Sequence, residues 1–178
     1  PRGALPLGRV VADRLGVPLD VVVASKIGAP GNPELAIGAA ASDGSVWLND
    51  EILASVGAGE DYVDREADRE AAAAREKLER YRGTAEPPDL AGKSVVVVDD
   101  GVATGATMRA CLRQAKAAGA ERVVAAVPVG PPDSLADLAG EADAVYAVDR
   151  PRNFRAVGAH YRSFPQVSDE EAMAYLED

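Results

Sequence analysis

Apolar residues in this chain arrive in two rhythms, short unbroken runs and longer stretches at helical spacing. The clearest run is Ser94-Val95-Val96-Val97-Val98, four successive β-branched residues with no polar alternation. That pattern suits a strand covered on both faces, as in a parallel sheet flanked by helices. Pro18 to Ala24, Glu121 to Pro128 and Ala142 to Val148 read as further strands of the same kind. Helical spacing appears in Leu7 to Leu15, which Gly16 ends, in Asp50 to Val56, which Gly57 and Gly59 stop, and in Ala106 to Ala118. Glu60 to Arg82 is a longer helix whose stripe of Tyr62, Val63, Ala67, Ala71, Ala74, Leu78 and Tyr81 runs among interleaved charges, so it reads as a solvated helix packed on one face, with a lid as the alternative. Ser42-Asp43-Gly44 between Glu34–Ala41 and Ser45–Leu48 predicts a hairpin.

The remaining segments are punctuation. Ser25 to Pro33 is rich in glycine and proline and reads as a loop, as does Gly83 to Gly92 with its Pro87-Pro88 pair. Asp133-Ser134 is expected to cap a helix over Leu135 to Gly140. Ser168 with Glu171 three residues on is a capping box for a last helix. Alternating strands and helices predict an α/β fold with a doubly wound, mainly parallel sheet. The chain then reads as one domain over 1–178, with a helical insertion at 49–92 and a tail or hood segment at 149–178. No strand precedes Pro1-Arg2-Gly3, and an upstream strand is expected to be missing.

Composition narrows the class without changing this architecture. The 178 residues are 47% hydrophobic, enough for a core and too apolar for wholesale disorder. No apolar run approaches a membrane span. One cysteine, Cys111, excludes an internal disulfide framework and fits a cytoplasmic protein; it reads as a small buried hydrophobe. A formal net charge of −10 speaks against nucleic acid as the main partner, because phosphate neutralisation needs clustered Lys and Arg.

The chemistry concentrates behind the valine run. Asp99 and Asp100 fall at the carboxyl end of that strand, where open α/β sheets place ligands. From Gly101 to Thr107 every side chain is small, so backbone amides can approach a bound group, and the helix that follows turns its positive end to the same place. The stretch lacks the lysine of a P-loop, and its acids precede the glycines instead of following them as in a dinucleotide fingerprint. Paired acids followed at once by an anion cradle suit hydroxyls beside a phosphate, that is, a ribose 5-phosphate.

Val95 to Thr107, a hydrophobic strand, two acids and Ala-Thr-Gly-x-Thr, closely resembles the motif with which type I phosphoribosyltransferases bind 5-phosphoribosyl-1-diphosphate (PRPP). The tail, with Phe154-Arg155-Ala156-Val157-Gly158, Phe164, Gln166 and Ser168 to Glu171, resembles a subgroup described only as predicted phosphoribosyltransferases. The resemblance implies that Asp99 and Asp100 meet the ribose 2- and 3-hydroxyls and stabilise positive charge on the ring. It further implies that Ala103, Thr104, Gly105, Ala106 and Thr107 hold the 5-phosphate, and that Arg2 and Gly3 hold the diphosphate, which Lys26, in a loop at a strand end, is also placed to reach. Mg2+ would be held mainly by PRPP, with Asp99 and Asp100 through water. The implied reaction transfers ribose 5-phosphate to a nitrogenous acceptor and releases diphosphate; the alternative is a non-catalytic PRPP sensor. A homodimer is expected on the same ground. Ala103 stands where hypoxanthine-guanine enzymes carry an aspartate base, which makes a 6-oxopurine acceptor unexpected. His160, Phe154 and Tyr161 are expected to pack the tail, with stacking of the two aromatic rings on a base as the alternative.

Overall fold

The computed structural model describes residues 2–84, 86 and 88–177; Pro1 of the opening turn and Pro87 of the Pro87-Pro88 pair lie outside these. Among the described residues no helix is long and apolar enough to cross a membrane.

The valine run forms β4 (Ser94–Val98), which pairs in parallel with β5 (Arg122–Val129), and β5 pairs in parallel with β6 (Ala144–Asp149). Helices α4 (Ala106–Ala117) and α5 (Pro132–Leu138) make the two crossovers. Val97, Val123, Ala125 and Val127 from this sheet pack with Met108, Leu112, Leu135 and Leu138 in one buried cluster. Leu112 and Leu138 are fully buried, each worth about 2 kcal/mol of transfer free energy. This is the expected α/β arrangement of parallel strands with helices against them.

The other three strands form a separate antiparallel sheet in the order β1 (Ala24–Ala29), β2 (Asn32–Ala41), β3 (Val46–Leu48). The hairpin at Ser42-Asp43-Gly44 is present and belongs to this second sheet, which stands beside the parallel one. Helix α4 packs against both sheets: Ala106 and Ala110 meet Ala39, Ala41 and Trp47, while Met108, Cys111 and Leu112 face the parallel strands.

Two expectations are corrected at the start of the antiparallel sheet. Residues 18–23 form no ladder. The segment keeps a two-residue alternation, with Val21 and Val23 in a cluster with Leu5, Leu78 and Tyr81, and Val22 and Ala24 against the parallel-sheet cluster, so its apolar character serves two cores. The expected loop 25–33 is mostly strand. Gly28 lies where a Cβ would come 2.7 Å from the Pro33 Cα, so its glycine serves close strand approach, and the turn is confined to Pro30-Gly31, with Gly31 at φ 71°.

Helices α1 (Ala4–Leu15), α2 (Asp50–Val56) and α3 (Glu60–Arg82) follow the predicted periodicity, α1 starting three residues early. The apolar stripe of α3 divides between two partners. Val63, Ala67 and Ala71 cover Ile27 and Ile37, and Ala74, Leu78 and Tyr81 meet α1 and the last helix, α6 (Asp169–Ala174). The capping box of α6 is present: the Glu171 N–H donates to Ser168 Oγ, and the Ser168 N–H donates to Glu171 Oε2. Helix α5 starts earlier than expected, with Pro132 in its first turn and no side-chain cap, which places Ser134 inside it.

Candidate functional site

Parallel pairing delivers Asp99 and Asp100 to the open end of the sheet. The Asp99 N–H still reaches the Ala126 carbonyl at 3.3 Å, and beyond it the chain turns. Both side chains are half-buried. Asp99 Oδ1 accepts the Asp100 N–H at 2.9 Å. Burial, with the Asp100 charge beside it, nonetheless pushes the Asp99 carboxyl up from 3.8 to about 6. Burial raises Asp100 as well. Two carboxyls are thus held side by side, poorly solvated, and in need of donors.

The loop behind them is anchored from beneath. The Val102 N–H donates to the Val129 carbonyl at 2.9 Å, and a Cβ on Gly101 would come 2.7 Å from Val157 Cγ1. Ser134 Oγ donates to the Ala103 carbonyl at 2.6 Å, tying α5 to the loop. Ala103 and Thr104 are exposed, and Thr107 is half-buried. Gly105 takes φ 80°, a left-handed turn that favours glycine, and caps α4 without a side-chain hydrogen bond. The first helical bond closes from the Arg109 N–H to the Gly105 carbonyl at 2.9 Å, so the amides of the first turn lack intrahelical acceptors. Small exposed residues, free amides and the helix dipole make an anion cradle adjoining the two acids.

Next to Asp100 a cleft of about 330 Å³ opens between the start of α1 and the tail, lined among others by Arg2, Gly3, Leu7, Tyr161, Phe164 and Gln166. Gly3 abuts Asp100 so closely that a Cβ there would overlap Oδ2. Tyr161 donates its hydroxyl to the Asp100 carbonyl, and its ring tilts against Phe164 with centroids 4.9 Å apart. Arg2 lines the cleft while its Nε lies 3.7 Å from Asp169 Oδ1.

These residues carry a recognisable pattern over most of the chain: the family model for the phosphoribosyl transferase domain matches residues 1–149. The chain belongs to the phosphoribosyl transferase domain family. Two Mycobacterium tuberculosis proteins, from strains H37Rv and CDC 1551, each named "Putative phosphoribosyl transferase", are 42% identical to it over 177 residues. The match takes in 99% of this chain and 40% of each relative, so the chain spans less than half the length of these relatives. The crystal structure of TT1426 from Thermus thermophilus is 44% identical and superposes with a TM-score of 0.81, covering 99% of this chain and 83% of that one.

In this phosphoribosyl transferase domain Asp99, Asp100, Gly105 to Thr107, Arg2 and Gly3 gather around one end of the parallel sheet. Lys26 does not join them: it lies exposed on β1 opposite Ala39, in a strand and not in the expected loop, and it does not line the cleft. Two neighbours of the site escape a reading of the sequence: Ser134 looks like a helix cap and Asp169 like one acid among three, and neither stands near the motif in the chain. Tyr161 is legible as a tail or base-stacking ring, but its hydroxyl bond to the Asp100 carbonyl is not. Phe154 and His160 pack on each other, with ring centroids 5.3 Å apart and planes 8° apart. Burial pushes the Cys111 thiol up to about 12, as expected of a small buried hydrophobe.

Among the described residues there is no group of three or more His, Cys, Asp or Glu side chains suited to a metal ion. The Asp99–Asp100 pair offers hard oxygen donors. This set fits a magnesium ion that keeps waters and takes most of its ligands from a bound diphosphate.

Proposed function

We propose that this domain transfers ribose 5-phosphate from PRPP to a nitrogenous acceptor, releasing diphosphate. The observation that carries the reading is that two under-solvated carboxyls at the end of a parallel strand are followed, from Gly105 on, by an α4 N-terminus with no side-chain cap.

In this reading Asp99 and Asp100 accept hydrogen bonds from the ribose hydroxyls. The ligand's donors replace water that burial has stripped away, and the negative charge then stands close to the ring carbon on which positive charge develops as diphosphate departs. Amides at the start of α4, with the Thr104 and Thr107 hydroxyls, hold the 5-phosphate. Arg2 and the Gly3 backbone hold the diphosphate. Magnesium, when bound, would neutralise charge on the leaving diphosphate, with Asp99 and Asp100 holding it through water. The cleft between Leu7 and Phe164 receives the acceptor, where Tyr161 and Phe164 supply ring faces and Gln166 an amide. Ala103, exposed and without a titratable group, gives no base to the acceptor, so the acceptor brings a nucleophilic nitrogen of its own.

Incubation with PRPP, Mg2+ and a panel of nitrogenous bases, with diphosphate release as the readout, tests the reading. Acceptor-dependent release is expected. Tight PRPP binding with no acceptor-dependent release would instead make the domain a PRPP sensor, and absence of PRPP binding would end both readings.

A further inference from the structure

Beneath the turn at Gly105 lies a guanidinium that the reading above does not use. Arg109 sits four residues into α4, and helical side chains lean toward the N-terminus, so it covers the turn preceding it. It is 8% exposed, the only buried arginine among the described residues. Its guanidinium carbon lies 4.3 Å from the centroid of the Trp47 ring on β3, and Nη2 lies 3.1 Å from Asp137 Oδ2 on α5. Nε is buried with no hydrogen-bond partner among the described residues, at a place where a Cβ on Gly105 would stand 3.7 Å away.

A buried charge with an orphaned donor is costly unless something compensates it. Asp137 compensates only in part, because its side chain is 68% exposed and its charge is screened by water. Positive potential is therefore left directly under the Gly105 turn, where the first amides of α4 lack intrahelical acceptors. Water screens a buried cation poorly, so its field at an anion on the other side of one peptide turn is strong. Trp47 and Asp137 also hold the guanidinium between β3 and α5, which fixes the turn against both.

We propose that Arg109 is a positioning residue for the sugar 5-phosphate, a cation buried beneath the Gly105 turn that adds its field to that of the α4 N-terminus without touching the ligand. The proposal rests on the phosphoribosyltransferase reading and goes beyond it by assigning phosphate affinity to a residue outside the cradle.

Titration calorimetry of the chain with ribose 5-phosphate, and separately with inorganic diphosphate and Mg2+, tests it. Arg109→Met is expected to weaken ribose 5-phosphate on the order of tenfold while diphosphate affinity stays within about twofold. Arg109→Lys, which keeps the charge, is expected to restore most of the loss. Asp137→Asn, a change at an exposed carboxylate, is expected to tighten ribose 5-phosphate by about two- to threefold, because it removes the partial counter-charge. Equal weakening of both ligands by Arg109→Met, or unchanged ribose 5-phosphate affinity, overturns the assignment. Should Arg109→Met fail to fold, Asp137→Asn decides alone: tighter binding supports the proposal, and unchanged or weaker binding overturns it. Wild-type chain that binds neither ligand removes the phosphoribosyltransferase reading and this assignment with it, whereas wild-type binding indifferent to the variants removes the assignment only.

Discussion

Gly3 and Asp100 stand in such close approach that a methyl group on residue 3 would overlap the carboxylate Oδ2. The Gly3 backbone is helical, at φ −67° and ψ −26°, a conformation any residue adopts. Space, and not backbone freedom, is therefore what glycine supplies here. Gly3→Ala should push Asp100 aside at little cost to folding. The expected outcome is a melting temperature within a few degrees of wild type and PRPP binding weakened by about tenfold, the loss of one charge-assisted hydrogen bond. Calorimetric titration beside a thermal melt checks both halves.

The raised Asp99 carboxyl predicts a pH dependence with a definite sign. In the unfolded chain it loses its proton near 3.8, in the folded chain near 6. Between these values the native state binds more protons, so this group's contribution to stability is complete below about pH 4, falls as pH rises through 6, and is flat above. The full span is at most about 3 kcal/mol for a half-buried group. Asp99→Asn removes the titration, so the variant should melt higher than wild type at pH 7 to 8, and the gap should close toward pH 4. Ribose 5-phosphate affinity should be lost in the variant, and in wild type it should fall below pH 6 as the carboxyl protonates. Melts across this range, with and without ligand, check the two trends.

How far the sequence reveals this site depends on contiguity. Ser94 to Thr107 holds strand, acids and cradle in one stretch, and each step has a local cause: unbroken valines for a strand covered by others, small residues for close backbone approach, Gly105 for a left-handed cap. The cleft beside Asp100 is assembled from residues 2–7 and 161–167, and only tertiary packing brings them together. Tyr161 illustrates the difference, since its hydroxyl serves a carbonyl 61 residues away. The segment 18–29 shows a second limit. Its apolar run announces burial but not the partner, and pairing with β2 moved the strand to 24–29, carrying Lys26 onto an exposed strand position away from the cleft.

Tyr81 and Asp169 join the long helix α3 to the tail: the tyrosine hydroxyl donates to Asp169 Oδ1 at 2.6 Å, and Arg2 and Arg80 approach the same carboxylate at 3.7 and 3.5 Å. Burial and this acceptor raise the Tyr81 hydroxyl to about 12, so it stays a donor at every physiological pH. Tyr81→Phe should leave the ring in its apolar cluster and release only this tie. Limited proteolysis is expected to cut the variant faster within 161–177 than wild type. Unchanged cleavage in that segment would mean that apolar packing by Ala172 and its neighbours suffices to dock the tail.

Ser134 tests whether the cradle is held from below. Its Oγ lies 2.6 Å from the Ala103 carbonyl and comes from the first turn of the seven-residue helix α5. Removing the hydroxyl leaves the carbonyl to water, because Ala103 is exposed, so Ser134→Ala should cost only about 0.5–1 kcal/mol of stability. Its effect on the ligand should be larger in proportion. In the proposed reading Ala103 opens the loop that holds the 5-phosphate, and a loop free to fluctuate must be ordered again when the phosphate binds. Ribose 5-phosphate affinity is expected to fall about threefold to fivefold, with diphosphate affinity unchanged. A variant that loses stability but keeps wild-type ribose 5-phosphate affinity would show the Ser134 hydrogen bond to be a feature of α5 alone.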